Sequence, residues 1–91
     1  MCDVDKRLEQ KINEKIEEAL ANMDEIHNLA KSLDARGDSE SFKYGLIVGR
    51  LYNSFYYQSR RILKRDPTKE EFFEFLQILR KRETDILKTI S

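Results

Sequence analysis

Punctuation is scarce in this chain. Among 91 residues there is one proline, Pro67, and there are three glycines, Gly37, Gly45 and Gly49. A β-fold needs turn residues at short, regular intervals and apolar residues that alternate along each strand. Neither pattern is present, so the fold class is all-α. Cys2 is the single cysteine; an intrachain disulfide is excluded, and the composition fits a reducing compartment. Near the start of the chain, Cys2 reads as a bystander thiol. His27 is the single histidine. With no second histidine, no Cys–His pair and no glycine-rich phosphate loop, the chain lacks the usual means of catalysis. No enzymatic activity, cofactor or metal is expected. Asp24 stands three residues before His27, a spacing used by di-metal helical proteins, but those sites need two such motifs and further carboxylates. Long apolar runs are missing too. Residues 44–57 carry one charge, Arg50, but fall short of the roughly 20 residues that span a bilayer. With no signal-like start, a cytoplasmic protein without a membrane role is expected.

Bulk charge is also absent, since 17 basic residues balance 17 acidic ones. Its distribution is uneven. Residues 1–35 hold nine acids and five bases, residues 36–65 two acids and seven bases, and residues 66–91 six acids and five bases. A positive middle between negative ends can neutralise itself on folding.

What is present is helical periodicity. Three segments, about 4–35, 39–65 and 68–90, read as long helices of one domain covering 1–91. In the first, Ile12, Ile16, Ala19, Met23, Ile26, Ala30 and Leu33 step by four and three, with Leu8 upstream. Gly37 is its expected stop. Asp38 or Ser39 should cap the second helix, and Pro67 should end it near Arg65. Thr68-Lys69-Glu70-Glu71 is a capping box for the third. There Phe72, Leu76, Leu79, Ile86 and Ile90 form the expected main stripe, with Phe75 beside it. Short connections favour an up-down-up antiparallel three-helix bundle. At 1.5 Å per residue the helices span roughly 48, 39 and 35 Å, so the first overhangs its partners. The overhang, together with the small size of the chain, points to assembly as a homodimer.

The second helix draws most attention. In YGLIVGRLYNSFYYQSRRIL, residues 44–63, apolar side chains occupy nearly every angle around the axis. Such a helix is usually surrounded. Gly45 and Gly49 share one face and admit close approach of a backbone, from another helix of the chain or from a second copy. Tyrosine combines a large ring with a polar tip and suits interfaces. The expected protein interface is Gly45, Gly49, Tyr52, Phe55 and Tyr56. The chain is then a non-enzymatic interaction or scaffold module that self-associates or binds a helical protein.

A second function class competes. Tyr57, Arg60, Arg61, Lys64 and Arg65 could contact nucleic acid through phosphates and stacked bases. The same cations could instead pair with Glu70, Glu71 and Glu74 across the turn, and they suit a helix C-terminus. Arg80-Lys81-Arg82 is a second basic group, expected near Arg50. A helix-turn-helix unit is disfavoured, because recognition helices belong to compact sets of short, steeply crossing helices. Arg36-Gly37-Asp38-Ser39 spells an adhesion tripeptide, but a helix stop and cap explain the same letters.

Overall fold

The computed structural model describes residues 6–33 and 39–90, and these are helical apart from short connections. The described residues form four helices: α1 (Lys6–Ala21), α2 (Met23–Leu33), α3 (Glu40–Leu63) and α4 (Lys69–Ile90). The long first helix is therefore two. Asn22 explains the break. Its Nδ2 donates to the Glu18 carbonyl at 2.8 Å, the acceptor its own backbone amide would use in a continuous α-helix. The Asn22 amide turns to Ala19 O instead, and the Glu25 amide to Asn22 O, each at 3.2 Å and each spanning three residues.

The apolar stripe survives this break. Leu8, Ile12, Ile16 and Ala19 on α1 and Met23, Ile26 and Ala30 on α2 are all buried. It stops one step early, since Leu33 is 66% exposed. α1 and α2 both pack on α3. Cys2, Val4, Ala35, Gly37 and Asp38 lie outside the described residues.

α3 is central, in contact with α1, α2 and α4, while α1 also packs on α4. Ser39 is its N-cap, in extended conformation, and its Oγ accepts from the Phe42 amide at 3.3 Å. α3 and α4 run antiparallel. Tyr52 meets both Phe72 and Phe75, and Tyr44 near the start of α3 feels Glu83 near the end of α4. At the centre of the core, Phe55 stacks on Phe75 with centroids 4.5 Å apart and planes 2° from parallel. Phe75 is thus the middle of the α4 stripe and Leu76 turns outward, the reverse of the expected order.

The α3–α4 connection is closed by polar contacts. Lys64 caps α3 in the left-handed conformation, φ 62°, and its amide donates to Arg60 O. Ser59, fully buried, donates its hydroxyl to Arg65 O at 2.9 Å. The capping box forms as expected: the Glu71 amide donates to Thr68 Oγ1 at 3.2 Å, and the Thr68 amide to Glu71 Oε1 at 2.8 Å. The Arg65 guanidinium then grips both oxygens of the same carboxylate, at 2.7 and 3.1 Å. That pairing is the chief reason the Glu71 carboxyl titrates below its ordinary range, against the opposing effect of burial.

Candidate protein-interaction face

Gly45 and Gly49 lie mid-helix on α3 and are exposed. A methyl group built on either would meet no atom of the described residues within 4 Å. The close approach to another helix of the same chain, one of the two expectations for this pair, is therefore not made among the described residues. Tyr52, 45% exposed, and half-buried Tyr56 continue the strip towards the C-terminal end of α3. Their rings meet edge to face at 5.3 Å. Interaction with Tyr52 is the main reason the Tyr56 hydroxyl titrates above its ordinary range. Arg60 lies over the Tyr56 ring at 5.8 Å and is anchored by Asp66 at 2.6 Å.

Phe55 does not belong to this face. Although only one position from Tyr56, it is completely buried, because that step of about 100° turns it from the surface into the contact with Phe75. α4 supplies residues the periodicity had assigned elsewhere. Tyr52 touches half-buried Phe72 at 6.1 Å, and Phe72 touches Phe73 at 6.1 Å. Phe73 is 52% exposed, and together with Leu76, Gln77 and Arg80 it lines a shallow groove of about 300 Å³. An apolar strip on α3 thus continues into exposed apolar residues on α4. The clue in the sequence was the excess of apolar residues on the third helix, where Phe72, Phe73, Phe75 and Leu76 fill more of the circumference than one core contact uses.

The basic residues divide into paired and unpaired sets. Arg60 is held by Asp66 and Arg65 by Glu71. Of the three expected acidic partners, it is Glu71 that receives Arg65, while Arg60 turns to Asp66 instead. Among the described residues, Arg61 reaches Gln58 Oε1 at 3.5 Å and Lys64 makes no side-chain ion pair or hydrogen bond. Of the second basic group, Arg82 faces α1 rather than Arg50. It pairs with Glu17 and Asp85 and reaches Asn13 at 3.3 Å. These contacts, with Glu17 first, keep the Arg82 guanidinium above its ordinary range.

His27 is half-buried on α2. No grouping of three or more metal-ligating side chains occurs among the described residues, and no described helix is long and apolar enough to cross a membrane. No family model, curated protein or solved structure matches the chain.

Proposed function

We propose that the chain is a non-enzymatic interaction module whose α3–α4 face docks a helix of another protein molecule, in the first instance a second copy of itself. One observation carries this reading. Two glycines inside α3 each weaken the helix by about 1 kcal/mol relative to alanine, and among the described residues neither supports a turn or an approach within the chain. Space beside an exposed helix backbone is useful to an incoming helix, whose ridge can settle against Gly45 and Gly49. Tyr52, Tyr56, Phe73 and Leu76 would then lose water on both sides of that contact. Tyrosine and phenylalanine suit this task because they bury much area with little loss of rotamer freedom.

A homodimer is the simplest form of this proposal, and a small chain gains stability from it. Light scattering after size exclusion, at two protein concentrations and two salt levels, tests it. The expected result is a mass that rises towards twice 10.9 kDa with concentration and responds little to salt, as apolar association does. A mass of one chain under all four conditions removes self-association. If Tyr56→Ala and Gly49→Leu also leave every partner contact unchanged, the proposal as a whole fails.

A further inference from the structure

A groove of about 570 Å³ runs between the start of α1 and the end of α3. Its walls carry Arg7 and Lys11 from α1, Arg61 and Lys64 from α3, and one acid, Glu14. Glu14 is partnered by Lys11 at 3.1 Å on the surface, where such a pair is worth little. The surplus of positive charge arises from a selective arrangement. Of the four cations that end α3, the two carboxylates of the turn region take Arg60 and Arg65. Arg61 and Lys64, three apart and both exposed, meet no carboxylate among the described residues and line the groove with the α1 cations. The opposed ends of α1 and α3 lie side by side here, so their helix dipoles offset each other and the side chains set the potential. Tyr57, 60% exposed, stands one turn before Arg61 on the same strip of α3.

We propose that this groove and strip form a binding site for single-stranded nucleic acid, separate from the protein-docking face and not dependent on it. Phosphates would sit between Arg61 and Lys64 on one side and Lys11 on the other, and an unpaired base would stack on Tyr57. A grooved cationic surface focuses potential on an anionic chain. The exposed ring adds what a bare phosphate site lacks, a platform for a base. A duplex keeps its bases stacked on one another and makes no use of Tyr57.

Fluorescence anisotropy of a labelled RNA of about twelve nucleotides, titrated with the full chain at several salt concentrations, tests the assignment. Binding is expected, with log K falling against log salt at a slope of about −2, as for three phosphate contacts to a single strand. The double variant Arg61→Glu and Lys64→Glu should weaken binding by at least tenfold, roughly the loss of two such contacts. Tyr57→Ala should weaken it by about tenfold, the value of one stacked base. Arg60→Gln, which alters a cation already paired with Asp66, should change it less than about twofold. Circular dichroism of each variant checks that the exposed substitutions leave the helices intact. Absence of binding at about 50 mM salt overturns the proposal. So does an Arg60→Gln loss equal to that of the double variant, which would mean general attraction to the end of α3. Equal affinity for heparin together with indifference to Tyr57→Ala would also overturn it, reducing the groove to a non-specific polyanion surface.

Discussion

Along one flank α3 presents Gly45, Gly49, Tyr52 and Tyr56, with no carboxylate on the strip. About a third of a turn around the same helix it presents Tyr57, Arg61 and Lys64. The first flank adjoins α4 and continues into Phe72, Phe73 and Leu76. The second adjoins α1 and opens on the cationic groove. Both carry exposed tyrosine, so aromatic exposure alone does not separate them. What separates them is the neighbour: apolar residues of α4 beside one, cations of α1 beside the other. Backbone choices differ in the same sense. α3 has glycine at two positions where a side chain would meet nothing among the described residues, yet has lysine at position 64, whose φ of 62° is the conformation glycine adopts at least cost. Neither choice serves the stability of the isolated chain.

Substitutions can break this comparison in order of expected size. Phe55→Ala removes the stacked centre beneath both flanks and should destabilise by about 3–5 kcal/mol, measured by urea unfolding. Because it undermines both surfaces, association and anion binding should fail together. Glu71→Ala should cost about 2–3 kcal/mol, since it removes one half of the capping box and leaves Arg65 without its carboxylate. The pH dependence follows from the same group. The folded pKa of Glu71 is depressed below its ordinary 4.5, so its stabilisation is fully present above that value and disappears as pH falls through the folded pKa. Thermal melts below pH 4.5 should therefore lose stability more steeply in the natural chain than in Glu71→Gln.

Smaller effects sharpen the contrast between the flanks. Gly45→Ala and Gly49→Ala should each stabilise the isolated chain by about 1 kcal/mol while weakening docking on the α4 side. Lys64→Gly should stabilise by about 1 kcal/mol through relief of the left-handed cap, while removing one cation from the α1 side. Each of these changes should leave the opposite flank untouched, as read by light scattering and anisotropy on the same variants. Asn22→Ala should give the smallest gain, about 0.5 kcal/mol, with a slight rise in helical circular dichroism as α1 and α2 join.

Local signals were legible in the sequence, and relations across space were less so. The Ser39 cap and the Thr68–Glu71 box depend on residues within one turn, and both formed where the letters placed them. The stripe from Leu8 to Ala30 was legible because its spacing is long and regular. The break at Asn22 was hidden, because asparagine fits the polar face and only its side-chain bond to Glu18 O interrupts the ladder. The phase of a stripe is fixed only when its neighbour is placed. Phe55 and Tyr56, or Phe75 and Leu76, look alike in a run of apolar letters, and the stacking of Phe55 on Phe75 decides which of each pair is buried. The pairing of Arg60 and Arg65, but not Arg61 and Lys64, likewise depends on how the turn brings Asp66 and Glu71 back to α3.

The glycine flank holds the central claim, and one measurement bears on it most directly: sedimentation velocity over a range of concentrations, paired with thermal melts, for the natural chain and for Gly45→Ala with Gly49→Ala. The account predicts opposite signs, a weaker self-association and a higher melting temperature when both are compared as monomers. An association unchanged by the two methyl groups, or a natural chain that stays monomeric at every concentration, would contradict it.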